Sequence, residues 1–385
     1  MNTKFCWLMS TRTTEQHPSP TGRRQHCRHK YSTWTVFMLD TVPAGVEIEL
    51  ARFFAAARLR ASDYGEHYVA LWDSLAQASS GGKRVRPALV LAAYAGFGGR
   101  DQGLVAPVAV SFELLHTAFL IHDDVIDRDL TRRGVANIAG RFSDRALAHG
   151  AAADQAGVWA AAAAILAGDL ALSEAHRALA KLPVDVPTRL RLLDLLDRAV
   201  FVSAAGELAD VTNSSARHPL TVAEVITTLE NKTAVYSFEA PLQAGAVLAG
   251  AGADAISVLG RYGRLVGVAF QLTDDLLGVF GDPLKTGKSV TADLREGKQT
   301  ALIAHAGSTA SWSLIAPYLG KVDLNDDEAE RAREYLRACG AKEAAEGLAY
   351  DHSRLAVEAL DPAIIPTELR ASLIELAEAA VNRSR

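Results

Sequence analysis

Two stretches, residues 104–126 and 253–280, repeat apolar residues at three- and four-residue spacing and have almost no polar side. Before Asp123 the first carries only Ser111, Glu113, His116, Thr117 and His122 as polar residues. A helix that is apolar all round has to be enclosed by other helices, so both stretches belong at the centre of a bundle. In the second, Gly260, Gly263 and Gly267 make a small face that a neighbour can approach closely. Helical periodicity also runs through residues 46–60, 87–96, 152–181, 186–210, 220–249, 326–345 and 366–383. No convincing run of alternating β-branched residues is present, so a sheet is not expected. Breaks at Gly81-Gly82, Gly98-Gly99, Arg132-Arg133-Gly134, Leu182-Pro183, His218-Pro219 and Asp282-Pro283 are too short to link domains. The expectation is an all-α chain with one large helical domain over residues 41–385.

Charge separates that domain from what precedes it. The 385 residues carry a net charge of −5, but residues 1–38 hold six basic side chains and one acid, leaving −10 on the rest. Residues 1–40 therefore read as an N-terminal extension, either a tail upstream of a start near Met38 or a targeting or partner-binding arm. Its apolar run, Phe5 to Met9, is shorter than the hydrophobic region of a signal peptide. Cys6, Cys27 and Cys339 lack zinc-site spacing. The longest charge-free apolar stretch, 156–168, falls short of the roughly 20 residues that span a bilayer. The expectation is a cytoplasmic protein with no transmembrane segment. An acidic domain gives no general reason to expect nucleic-acid binding.

Each central helix runs into carboxylates at its C-terminal end, where the helix dipole disfavours them. The first cluster is His122-Asp123-Asp124-Val125-Ile126-Asp127, with Asp123 and Asp127 on one face. Arg128, Arg132 and Arg133 could neutralise it as a salt-bridged helix end. A divalent metal is the other reading, since paired oxygen ligands suit magnesium bridging to phosphate. The second cluster, Asp274-Asp275 after Gln271, repeats the construction about 150 residues later. Acids from two central helices facing one another would need divalent cations to converge. Gly278 stands where the pattern of the first cluster calls for a carboxylate, and Asp282, beside Pro283, is poorly placed to replace it. Basic residues follow: Lys83, Arg84 and Arg86 after a Gly-Gly loop and before a helix start at Pro87, then Arg132 and Arg133, then Lys285, Lys288, Arg295 and Lys298.

These motifs together resemble the trans-isoprenyl diphosphate synthases, or polyprenyl synthetases, over about residues 45–385. The resemblance rests on GGKRVRP at 81–87, HDDVID at 122–127, RRG at 132–134, Lys232-Thr233, QLTDDLLGVFGD at 271–282 and TGKS to DLREGK across 286–298. Residues 206–210 resemble the family's GQxxD segment with Glu207 in place of Gln. A related terpene cyclase would share the first Asp motif, have a different second metal motif and not need GGKRVRP.

The resemblance implies a single-domain bundle around a central cavity, of the isoprenoid synthase type I kind. It implies an allylic diphosphate held through three Mg2+ ions by Asp123, Asp127 and Asp274, with Asp124 in the same catalytic motif. Arg132, Lys232, Lys288 and Lys298 would contact its phosphates. Isopentenyl diphosphate would sit on Lys83, Arg86, His116 and Arg133, while Thr233 and Gln271 would hold the reacting cation near polar oxygens. Product length would be set by Ala118 and Phe119, one turn before Asp123, which favours geranylgeranyl over farnesyl diphosphate. A homodimer is implied. A non-catalytic partner subunit of a heteromeric synthase is the reading from another class.

Overall fold

The computed structural model describes residues 44–215, 218–281 and 291–382. The extension at 1–40 and the candidate phosphate ligand Lys288 lie outside the described residues. Helices α1 (Ala44–Ala61), α2 (Glu66–Ala78) and α3 (Val85–Gly96) lead into α4 (Gln102–Ile126), the first apolar stretch. Asp101 caps α4 by accepting the Gly103 amide at 2.8 Å. Helices α5 (Ile138–Ala148), α6 (Ala153–Ala180), α7 (Val186–Ser214) and α8 (Val222–Leu229) follow. The second apolar stretch is α10 (Ala253–Phe280), after α9 (Ala240–Leu248). The remainder comprises α11 (Ala292–Arg295), α12 (Ala301–Gly307), α13 (Trp312–Ile315), α14 (Asp326–Ala338), α15 (Ala341–Ala359) and α16 (Thr367–Val381).

Enclosure of α4 and α10 is what their composition demands. Helix α4 packs against α1, α3 and α6, with Phe112, Leu114 and Leu115 fully buried. Each such side chain contributes about 1.5–3 kcal/mol by leaving water. Helix α10 packs on α15 and α16, and Tyr262 on it donates its hydroxyl to the Leu373 carbonyl at 2.6 Å.

Two departures from the expected pattern shape the site. Periodicity reads 220–249 as one helix, but between α8 and α9 residues Glu230–Glu239 wind as a π-helix. This stretch packs against α4, α7 and α10 and carries Lys232 and Thr233. The small faces predicted on α10 meet it: a Cβ at Gly263 would lie 2.6 Å from the Glu239 backbone. The second departure is a short antiparallel pair, β1 (Thr131–Arg132) with β2 (Val135–Ala136), where no sheet was expected. Its loop residues Arg133 and Gly134 have φ of 54° and 76°, the left-handed pair of a type I′ hairpin. The predicted break at 132–134 is thus a turn that folds Arg132 back toward α4.

Counting only charge-free residues understates the long apolar helices. Both α4 and α6 are long and apolar enough to cross a membrane by length and composition. Most of α4's apolar window (72%) is buried inside the protein, against 39% for α6.

Candidate active site

The C-terminal end of α4 is neutralised from two directions. Arg132 donates Nε to Asp124 Oδ1 at 2.7 Å and Nη2 to Asp123 Oδ2 at 3.0 Å. Asp124 is buried in this pairing, whereas Asp127, the C-cap residue, keeps exposed surface although its carboxyl lies in a crowded acidic region that partly desolvates it. From the π-helical stretch, Lys232 reaches Asp210 at 2.7 Å and Glu207 at 3.0 Å on α7, and Asp123 at 3.6 Å. Close approach of α7 makes this possible, because a Cβ at Gly206 would overlap the Lys232 backbone nitrogen. Burial works against the Lys232 ammonium, but Asp210, Asp123 and Glu207 outweigh it and raise its pKa. Negative charge still dominates. Burial first, then Asp123 and Glu296, push the Asp127 carboxyl up to about 7.

On α10, Gln271 and Asp275 are one turn apart, and the Gln271 amide donates to Asp275 Oδ1 at 3.1 Å. Lys298 donates to the same oxygen at 2.8 Å. Asp275 is buried, and its Oδ2 has no hydrogen-bond partner. Asp274 is half-buried on the adjacent face of the helix. Thr233 is half-buried beside Lys232 on the π-helical stretch.

A second group lies around the loop at 81–84. Arg86 donates to Ser237 Oγ at 2.7 Å and to the Tyr236 hydroxyl at 3.0 Å, with its guanidinium 4.7 Å from the Tyr236 ring centre. The Tyr236 hydroxyl lies 3.4 Å from His116 Nδ1. Burial, then Arg86, Arg132 and Arg133, hold the His116 pKa well below its ordinary value, so the imidazole is neutral. The Arg133 guanidinium lies over Gly82, 3.7 Å from where a Cβ would stand, which brings the hairpin to this loop. Lys83 is exposed.

Arg84 has a different part from its neighbours. It is buried at a left-handed φ of 48° and donates to Glu113 at 2.6 Å, to Glu47 at 2.6 Å and to the Ser79 carbonyl at 2.7 Å. This fixes the loop from beneath, between Lys83 and Arg86. Among the described residues the non-glycine residues with positive φ are Arg84, Arg128 and Arg133, all beside this site. Arg295, one of the basic residues after the second cluster, instead donates to the Leu324 carbonyl at 2.7 Å.

The two chain-length candidates diverge. Phe119 is half-buried with its ring edge-on to Tyr236 at 4.9 Å. Ala118 is fully buried among Trp72, Leu75 and the alanines of α6. Sequence reasoning missed Tyr236 and Ser237, although Tyr236 lies one turn after Lys232. It also passed over the acids Asp293 and Glu296 while counting the bases around them.

The polyprenyl synthetase family profile matches residues 70–336. The chain belongs to the polyprenyl synthetase family. It is accordingly an all-α trans-isoprenyl diphosphate synthase, an enzyme that transfers prenyl groups to make short-chain prenyl diphosphates. It is 35% identical over 310 residues to (2E,6E)-farnesyl diphosphate synthase of Mycobacterium tuberculosis, covering 78% of this chain and 80% of that one. Over 282 residues it is 32% identical to geranylgeranyl diphosphate synthase of Methanosarcina mazei, covering 73% and 80%. A crystal structure of geranylgeranyl pyrophosphate synthase from Corynebacterium glutamicum, complexed with isoprenyl diphosphate and magnesium, matches with a TM-score of 0.80 at 30% identity. That match covers 91% of this polyprenyl synthetase and 99% of the Corynebacterium chain. Substrates in this family are isopentenyl diphosphate and an allylic diphosphate.

Proposed function

We propose that this polyprenyl synthetase condenses isopentenyl diphosphate head-to-tail with an allylic diphosphate and releases geranylgeranyl diphosphate. The observation that carries the reading is the pairing of an acidic region at the ends of α4 and α10 with a separate cationic group at Arg86, His116 and Arg133. The acidic region suits magnesium: its donors are all oxygen, and Asp127, raised first by desolvation and then by Asp123 and Glu296, stands where a divalent cation would offset the crowded carboxylates. Asp123, Asp127 and Asp274 would hold three Mg2+ ions. Bound magnesium would neutralise the allylic diphosphate and ease its departure.

The chain's own residues do the rest. Lys232, Arg132 and Lys298 start in ion pairs with Asp210, Asp124 and Asp275, so each is already aimed at the site and gains a phosphate partner without being brought in from water. Lys288 is proposed to join them. Lys83, Arg86, Arg133 and neutral His116 position isopentenyl diphosphate, with His116 oriented by Tyr236. Thr233 and Gln271 present polar oxygens to the allylic cation, and the apolar walls keep water from it. Phe119, braced by Tyr236, limits the length of the growing chain, with Ala118 behind it.

We further propose a cytoplasmic homodimer with its catalytic domain over residues 41–385 and an extension at 1–40. Val158, Ile165 and Leu166 on α6 and Phe201 and Leu208 on α7 are exposed, a surface that a second copy would cover. Purified protein with Mg2+, isopentenyl diphosphate and dimethylallyl, geranyl or farnesyl diphosphate tests the activity. Geranylgeranyl diphosphate is the expected product; farnesyl diphosphate as the end point moves the assignment one step shorter. No product with any primer would leave the partner-subunit reading.

A further inference from the structure

Helix α10 presents Asp274 and position 278 on the same face, one turn apart, as α4 presents Asp123 and Asp127. Position 278 is glycine, so from sequence the second acidic face has one carboxylate fewer than the first. The space is not vacant. A Cβ at Gly278 would overlap Asp293 Oδ2 and stand 3.1 Å from Asp293 Cγ. The carboxylate of Asp293, from α11, therefore rests directly on the Gly278 backbone, where the first atoms of a side chain at 278 would be. Any other residue at 278 would push it away. The glycine makes room for a carboxylate from another segment.

The neighbours of Asp293 fit a cation site. Lys298 ties the two acids together: its ammonium donates to Asp275 Oδ1 at 2.8 Å and its backbone amide to the Asp293 carbonyl at 3.0 Å. Independently, Asp275, next to Asp274 on the same helix and held by the same Lys298, is buried and leaves Oδ2 with no hydrogen-bond partner. A buried carboxylate oxygen is costly to leave unsatisfied, and an ion or its bound water satisfies it.

We propose that Asp293 is the second carboxylate of the metal site built on Asp274, replacing the side chain that Gly278 lacks. The inference rests on the magnesium-dependent reading above and assigns a residue that the motif alone leaves out. It also predicts that the carboxylate can be moved. In Asp293→Ser/Gly278→Asp the acid returns to α10 while the space above it is cleared.

Mn2+ binding followed by electron paramagnetic resonance, with inorganic diphosphate present and no prenyl substrate, reads the site without turnover. Wild type should bind Mn2+ in a diphosphate-dependent way. Asp293→Asn should weaken one class of ion by about tenfold or more, and the relocated pair should bind within about threefold of wild type. Asp293→Asn with wild-type Mn2+ affinity overturns the inference and leaves the family assignment standing. Absence of diphosphate-dependent Mn2+ binding in wild type overturns the magnesium-dependent reading itself. If Asp293→Asn melts early, the relocated pair decides: folded with recovered affinity supports the inference, and folded without it refutes it.

Discussion

Arg84 is the most exacting point at which to perturb the site, because it is a basic residue of the GGKRVRP loop that binds protein. Its side chain is 5% exposed and meets Glu113, whose own side chain is 8% exposed. The Glu47 arm is half in water and contributes about 0–1 kcal/mol. Removing one member of a buried pair costs about 3–5 kcal/mol, since the other charge is left uncompensated. Glu113 already has one oxygen without a partner, which places Arg84→Ala toward the upper end. The replacement keeps the left-handed backbone that any L-residue strains, so the loss reports the side chain. Arg84→Met with Glu113→Leu removes both charges together and should recover about 2–3 kcal/mol, leaving chiefly the loss of the Ser79 carbonyl's donor. Guanidinium unfolding of wild type, Arg84→Met, Glu113→Leu and the double variant gives the coupling directly. Arg84→Ala should also raise KM for isopentenyl diphosphate more than it lowers kcat, because Lys83 and Arg86 lose their support. A loss under about 1 kcal/mol, or no coupling in the cycle, would show that the loop is not held this way.

Two further outcomes follow from the site. The Asp127 carboxyl titrates at about 7 in the folded protein against 3.8 ordinarily, so between those values the folded state holds a proton the unfolded chain has released. Its contribution is complete below the unfolded value and disappears as pH rises through about 7. Metal-free protein should therefore melt lower at pH 8 than at pH 6, with Asp127→Asn reducing the difference; an equal difference in the variant refutes the assignment. Phe119→Ala removes the ring packed on Tyr236 and should lengthen the product by at least one isoprene unit, read by chromatography of the dephosphorylated alcohol. An unchanged length would remove Phe119 from product control.

Helices were legible because burial leaves a periodic trace, and α4 and α10 stood out for lacking a polar side. Partner choice left no such trace. Arg84, Arg132 and Lys298 look alike in sequence as free cations, yet one is locked on Glu113 and the others rest on Asp124 and Asp275. The π-helical stretch left no trace because residues 234–239 are all buried and so show no polar side from which to read a period, although its winding decides where Lys232 points. Arg132-Arg133-Gly134 was visible as a break, but only the positive φ at two successive residues makes it a hairpin that returns Arg132 to α4. Gly278 was visible as a missing acid. That Asp293 fills its place depends on a contact between residues fifteen apart, which spacing on one helix cannot show.

If the ends of α4 and α10 act together on one allylic diphosphate, as proposed, neither can be lost without losing turnover. Steady-state turnover of Asp274→Asn, with isopentenyl and allylic diphosphates in Mg2+, tests it most directly. Asp274→Asn should give a folded protein whose kcat falls on the order of a hundredfold. Near-normal turnover would contradict it, because the second helix end would then have no part in holding the leaving group.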